Sequence, residues 1–288
     1  MADLSRRRVQ NVPGRLYVDA SCIDCGTCRW VAPDTFDEAD GQSRVWRQPE
    51  TPHQYERALM ALVACPTASI GATDKEELSR AVVAFPDLIA QTVHHCGYHS
   101  EKSYGAASYL IQRPAGNVLV DSPRFARPLV NRLEDMGGIA LMFLTHRDDV
   151  ADHAAFARHF GCTRIIHADD VGSGTREIER IVEGNAPIAL ANDLMAIPVP
   201  GHTRGSMCLL HGTFLFTGDH LHWKPDCQEL GASRRVCWYD WQEQIRSMER
   251  LLGYDFEWVL PGHGRRANLP AAAMRRALAR CIADMKRQ

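Results

Sequence analysis

Three cysteines stand at two-residue intervals in Cys22-Ile-Asp-Cys25-Gly-Thr-Cys28, and a fourth follows far along the chain in Cys65-Pro66. A loop of that spacing can wrap three corners of a cubane iron–sulfur cluster, with Gly26 helping the turn, and the remote Cys-Pro supplies the last corner. A chain built for two clusters would carry another cysteine three residues beyond Cys28, but position 32 is Ala. The expectation is one [4Fe-4S] cluster held by Cys22, Cys25, Cys28 and Cys65. A zinc knuckle competes with it weakly, because zinc sites usually pair two separated Cys-x2-Cys units. A three-iron cluster needs only three cysteines, and Cys25 favours four irons.

A second set of residues is rich in imidazole and carboxylate. His146-Arg-Asp148-Asp149-Val-Ala-Asp152-His153 is followed by Pro200-Gly-His202, Thr217-Gly-Asp219-His220 and Pro261-Gly-His263. Each piece lies just after an apolar run, and glycine beside three of them allows close backbone approach. Histidines and carboxylates converging from several strand ends are what a metal site on a sheet edge requires. Asp149 reads as a helix N-cap before Val150, and Asp148 stands between ligand and cap. His220 and His222 read as hydrogen-bonded structural histidines beside Asp219, with a supporting or substrate-contacting role as the alternative. His94 and His95 fall near a strand end, and His99 in a loop that reaches the pocket mouth. Trp238, Tyr239 and Trp241 open a helix and read as core, the alternative being a pocket roof.

Short elements must position these groups. Apolar runs mark strands over 117–121, 139–144, 163–166, 194–199, 207–210, 214–216 and 258–260, and helical periodicity marks 123–136, 150–160, 241–252 and 271–286. Only His53 of the thirteen histidines precedes residue 90, whereas the four clustered cysteines fall before residue 66. The chain therefore divides into a thiolate region and an imidazole region, with the polar, turn-prone stretch 71–77 between them and a boundary placed at 75. The 288 residues, 45% hydrophobic, suffice for two cores. A formal net charge of −2 argues against a nucleic-acid partner. No run approaches the roughly 20 apolar residues of a membrane span, and the first residues carry charge without an apolar stretch, so a cytoplasmic protein is expected. Ten cysteines then imply free thiols or metal ligands and no disulfide framework.

Residues 17–70, with Ala32-Pro-Asp-Thr-Phe36 and Cys65-Pro-Thr-Ala-Ser-Ile70, resemble single-cluster bacterial ferredoxins over almost their whole length. The four imidazole and carboxylate pieces, in their order, resemble the metallo-β-lactamase superfamily over roughly residues 80 to 288. Together the resemblances imply an α/β chain: a small α+β ferredoxin-like domain over 1–75, then an αββα metallo-β-lactamase-like sandwich over 76–288. The superfamily signature is His-x-His-x-Asp-His, then a His, a bridging Asp and a final His. Carried over, it implies one metal at His146, His202 and Asp219 with Asp148 as a fourth ligand. A second metal falls to Asp152, His153, His263 and the shared Asp219. The second His of the signature is absent, Asp148 stands at its spacing, and two extra residues precede Asp152. One or two divalent metals are expected, zinc first and iron as the alternative.

The implied chemistry is hydrolysis of a small ester, thioester, amide or lactam by a metal-activated water, with Asp152 orienting that water and His146 and His202 holding the metal. Two alternatives use the cluster. In one, His146, His202 and Asp219 hold iron for redox work, like the persulfide dioxygenases or the diiron oxygen and nitric-oxide reductases of this superfamily, with an electron donor or acceptor protein as partner. In the other, the chain is an iron–sulfur electron-transfer or redox-sensing protein.

Overall fold

The computed structural model describes residues 2–73 and 78–288, so the junction expected at residue 75 lies outside the described residues. The chain packs as two compact units, Met1–Ala140 with Ala151–Gly161 and Leu141–Val150 with Cys162–Gln288.

In the first unit, strands Leu16–Val18 and Ile70–Ala72 pair antiparallel with Tyr17 opposite Gly71 and Val18 opposite Ile70. The chain leaving Val18 toward Cys22 and the chain arriving at Ile70 from Cys65 therefore meet at one end of the ribbon. The Asn11 side-chain carbonyl accepts from the Val18 and Val45 N–H groups, tying this ribbon to the Phe36–Ala39 and Gln42–Val45 hairpin. Helix Pro52–Ala64 starts at a capping box: the Thr51 hydroxyl accepts from Gln54 N–H, and the Gln54 side chain accepts from Thr51 N–H, both at 3.2 Å. Pro52 occupies the first turn, where its missing N–H costs nothing. The helix buries Ala58, Leu59, Ala61 and Ala64 and ends at Cys65.

The same unit continues as an antiparallel meander of Asp87–Ala90, Val93–His95, Tyr109–Ile111 and Val118–Val120. Only the last of these strands is visible in the sequence. The others are three or four residues long and include histidines or flanking polar residues, so no apolar run announces them. The compact unit runs past the cysteine segment because contacts continue, among them the Arg57 to Asp87 ion pair at 3.0 Å. Helix Arg127–Asp135 begins later than the expected 123, with Pro128 in its first turn. Helix His153–Phe160 also starts late.

In the second unit, Leu141–Phe143, Thr163–His167 and Arg180–Val182 run parallel. A six-stranded sheet follows in the order Ile188–Ala191, Leu194–Pro198, Met207–His211, Phe214–Gly218, Trp258–Pro261, Ala267–Asn268. Its first four strands are successive antiparallel neighbours. Phe214–Gly218 and Trp258–Pro261 are parallel, because the connection between them is long and carries helix Trp241–Leu251. Asp240 caps that helix by accepting from Glu243 N–H at 2.7 Å, and Trp241, Ile245, Met248 and Leu251 form its buried stripe. They share one core with Leu215 and Val259 of the sheet and with Met274, Leu278, Ile282 and Met285 of helix Ala271–Arg287.

Candidate metal centres

The second unit brings four motif pieces to one point. Phe214–Gly218 and Trp258–Pro261 run parallel with Gly218 opposite Pro261, so Asp219 and His263 leave the sheet side by side, and Gly262 N–H donates to the Gly218 carbonyl at 2.8 Å. The Met207 N–H donates to the Thr145 carbonyl at 2.8 Å, which sets the end of Leu141–Phe143, and so His146, beside the 199–206 loop that carries His202. Gly218 has φ +50°, and a side chain there would meet Thr145 Oγ1 at 2.6 Å and His146 Nδ1 at 3.2 Å, so only glycine fits. Thr145 Oγ1 in turn lies 3.0 Å from His146 Nδ1 and orients the ring.

Asp219 Oδ2 then lies 3.7 Å from His146 Nε2, 3.6 Å from His202 Nε2 and 3.8 Å from His263 Nε2. Asp148 Oδ2 lies 3.4 Å from His202 Nε2 and 4.0 Å from His146 Nε2. Asp149 Oδ2 is also 4.0 Å from His146 Nε2. These spacings are long for hydrogen bonds. Ligand atoms around one tetrahedral metal with bonds of about 2.0–2.1 Å stand about 3.4 Å apart. Two groups, His146 with Asp148 and His202, and His146 with Asp149 and Asp219, each offer three ligand atoms within 4.8 Å of one another. His146 Nε2 and Asp219 Oδ1 are buried without a hydrogen-bond partner, which buried polar atoms avoid unless something else satisfies them. The donor set thus fits a divalent metal.

The charges agree with that arrangement. Burial holds the His146 imidazole below its ordinary range. Burial works against ionisation of Asp219, but the charges of His263, His146 and His202 outweigh it and keep the carboxyl low. The same competition at His202 ends the other way, Asp148 and Asp219 raising it despite burial. The His202 contact holds Asp148 low. His220 is pushed down to about 3 by burial and by the neighbouring His202, so it is neutral.

Asp149 corrects the reading from sequence. It caps no helix: it closes a 3-10 turn, Arg147–Asp149, its residue is 1% exposed, and Gly262 lies so near that an added Cβ would meet its Oδ2 at 2.6 Å. Asp152 and His153 belong to the first unit. The Asp152 carboxylate accepts from the Lys102 ammonium at 2.7 Å and the Phe125 N–H at 2.9 Å, and these partners hold it low although burial opposes them. His153 is buried at the start of its helix. Neither residue is in the two ligand groups found among the described residues; His263 is in neither too, but its Nε2 lies 3.8 Å from Asp219 Oδ2.

Trp241 is buried, as expected of core, but Trp238 and Tyr239 are 60% and 48% exposed. Their N–H groups both donate to the His202 carbonyl, at 2.9 and 3.1 Å, and the Trp238 ring lies 6.2 Å from that of His202. Sequence reasoning missed Asp170. Its carboxylate is 1% exposed and accepts from Arg147 N–H at 3.0 Å, the Thr203 hydroxyl at 2.6 Å and Gly205 N–H at 3.0 Å, clipping the His146 and His202 loops together. An Asp-Asp pair after a strand was its only sequence signal.

In the first unit, Cys25 and Cys28 each feel the charge of the other cysteines of the set Cys22, Cys25, Cys28 and Cys65. Burial pushes the Cys25 and Cys28 thiols up, so thiolates there need compensating charge. Ser69 N–H already points at Cys65 Sγ, 3.3 Å away, and the Thr27 hydroxyl lies 3.4 Å from Cys25 Sγ. These contacts at Cys25 and Cys65 fit sulfurs that ligate an iron–sulfur cluster. His99 does not reach a pocket mouth: it is 1% exposed and packs with His95 against Trp30, with ring centroids 5.8 and 4.9 Å from it.

Residues 18–72 match the family model of the 4Fe-4S single cluster domain of Ferredoxin I. A hydroxyacylglutathione hydrolase from Anaeromyxobacter dehalogenans is 36% identical over 106 residues, which are 34% of this chain and 41% of that protein. The chain thus spans under half the length of this curated relative. Among solved structures, the DIM-1 metallo-β-lactamase exposed to ceftazidime superposes with a TM-score of 0.55 at 15% identity, over 69% of this chain and 95% of its own. The FIM-1 metallo-β-lactamase of Pseudomonas aeruginosa, in its mono-zinc form, gives 0.52 at 17% identity, over 68% and 93%. Residues 18–72 thus match a single-cluster ferredoxin model, and the chain shares the metallo-β-lactamase fold. Among the described residues no helix is long and apolar enough to cross a membrane.

Proposed function

We propose that the metallo-β-lactamase-like part is a metal-dependent hydrolase of an acyl thioester, and that His146, His202, Asp219 and His263 hold its metal with Asp148 as a further ligand. The observation that carries this is Asp219 Oδ2 at 3.6 to 3.8 Å from three imidazole nitrogens, with His146 Nε2 and Asp219 Oδ1 buried and unpartnered. The metal, when bound, supplies Lewis acidity and brings the pKa of a water toward about 7. Asp149, buried beside Asp219, takes the orienting role that the sequence assigned to Asp152. It accepts the proton of the attacking water as the water oxygen bonds to the acyl carbon, and that proton satisfies the sulfur when the C–S bond breaks. The exposed Trp238 ring, 6.2 Å from that of His202, offers an apolar surface for the rest of the substrate. The thioester class follows the name of the hydroxyacylglutathione hydrolase relatives.

The test is the full chain, purified anaerobically and given zinc or ferrous iron, assayed with a hydroxyacyl thioester of glutathione and with ester, amide and lactam probes. Metal-dependent thioester turnover that vanishes in Asp219→Ala is expected. Full metal occupancy with no hydrolysis of any probe would overturn the reading. One observation favours a second reading: among the described residues the centre offers three carboxylates and three imidazoles but no thiolate, a hard donor set that also suits iron, in a chain that also matches a 4Fe-4S single cluster domain. Non-cluster iron with a spectral response to oxygen or a persulfide would select it, and would bring in an electron-transfer partner.

A further inference from the structure

The polar groups around Cys25 do not all come from the ferredoxin segment. The Thr27 hydroxyl oxygen lies 3.4 Å from Cys25 Sγ, 3.3 Å from the Gly105 carbonyl and 3.2 Å from His99 Nδ1. His99 Nδ1 is itself 2.6 Å from that carbonyl, and His99 Nε2 is 2.8 Å from His95 Nε2. Both histidines are 1% exposed, and Thr27 is 2% exposed. His95, His99 and Gly105 all lie beyond the 18–72 segment that matches the ferredoxin model.

The protons in this chain can be placed by counting. A carbonyl only accepts, so the 2.6 Å contact requires His99 Nδ1 to carry hydrogen. His99 Nε2 and His95 Nε2, 2.8 Å apart, share one hydrogen, which fixes the two rings against each other. The Gly105 carbonyl has a second lone pair, so it and Cys25 Sγ compete for the single Thr27 hydroxyl hydrogen, and the charged sulfur of a ligating cysteine is the stronger acceptor. A cluster-bound cysteine has no S–H to donate, so the hydroxyl hydrogen turns to Cys25 Sγ. The His99 N–H, close to Thr27 Oγ1, polarises the hydroxyl and strengthens that bond.

We infer that His95, His99 and Thr27 form a hydrogen-bond relay from outside the ferredoxin segment that raises the reduction potential of its cluster. The inference rests on the cluster being held by Cys22, Cys25, Cys28 and Cys65. Donation to a ligating sulfur favours the reduced cluster, which carries the extra negative charge. His95 and His99 are positioning residues: they fix the direction of one hydroxyl, and the hydroxyl alone touches a ligand. Such tuning has a use in a cluster that accepts electrons, and none in one that only staples the chain.

The test uses the full chain with its cluster assembled anaerobically, iron and sulfide counted, and the midpoint potential read by spectroelectrochemical titration. Thr27→Val should shift the midpoint to lower potential at full iron content, and Thr27→Ser should keep it at the value of the unaltered chain. His99→Phe should shift it in the same direction. His99→Asn, whose amide nitrogen can stand where Nδ1 stood, should restore it. An unchanged midpoint in Thr27→Val with a full cluster overturns the inference; should that variant fail to assemble a cluster, an unchanged midpoint in His99→Phe overturns it equally. Absence of iron and sulfide from the unaltered chain would instead overturn the cluster reading on which it rests.

Discussion

Asp148 and Asp149 are adjacent carboxylates with opposite surroundings. The Asp148 side chain is 43% exposed and faces His202, whereas that of Asp149 is 2% exposed and faces His146. Removing the charge of the buried one without changing its shape should therefore separate catalysis from metal binding. Asp149→Asn is expected to keep most of its metal and to lose turnover by about 10²-fold or more, the range of a positioned general base; metal analysis beside thioester kinetics checks this. Asp219→Ala should instead empty the centre, because three imidazoles lose their common neighbour, while the iron of the cluster stays. Metal counted before and after decides between bridging and peripheral roles for Asp219. The sequence made His146, His202, Asp219 and His263 legible, since each follows a strand and a turn. It misread Asp149, because a carboxylate just ahead of a helical stretch has the same local signature whether it caps that helix or turns inward. Burial separates the two outcomes, and burial is a property of what packs above.

At the scale of elements, the loops bearing the ligands are held by groups that contact no metal. Asp170 accepts three hydrogen bonds from two loops, so Asp170→Ala takes the acceptor from the Arg147 and Gly205 N–H groups, while the Thr203 hydroxyl keeps Ser206 Oγ at 2.8 Å. A loss of about 3 kcal/mol in stability is expected from hydrogen bonds to a charged group, with metal affinity weakened about 10- to 100-fold as its outer support goes. Urea unfolding and a metal titration of the variant measure the two effects. Arg164 and Glu179 fasten the strand Thr163–His167 to the segment before Arg180–Val182, with contacts of 2.7 to 3.2 Å. The Arg164 guanidinium lowers the Glu179 carboxyl from 4.5 to about 2. A carboxyl depressed on folding stabilises above its unfolded pKa, so this contribution is full above about 4.5 and disappears as the pH falls to 2. The Glu179 side chain is 43% exposed, so solvent screens the pair and keeps its worth under about 1 kcal/mol. Melting curves from pH 6 to pH 2.5 should show a smaller acid loss in Glu179→Gln than in the unaltered chain.

At the scale of the whole molecule, two centres of different chemistry are carried by one chain, and they answer to different residues. Cys65→Ser is expected to cut cluster iron and sulfide while leaving metal in the His146, His202, Asp219 and His263 centre, since Cys65 and that centre belong to different compact units. Metal and sulfide analysis of one anaerobic preparation reads both.

The cysteine spacing, the order of the imidazole pieces and the apolar runs before them were enough to determine the one-cluster segment and the metallo-β-lactamase fold. These are local patterns, and local chemistry constrains them: a loop must fit a cubane, and a ligand must leave a strand. Only the tertiary structure decided that Asp149 lies in the centre, that Trp238 and Tyr239 face solvent beside His202, and that His95 and His99 stand behind Thr27 at Cys25. Each depends on which short strands pair and what they bury. Val93–His95 and Tyr109–Ile111 are too short for their periodicity to announce them, and the side chains they bring to Thr27 are about seventy residues away along the chain.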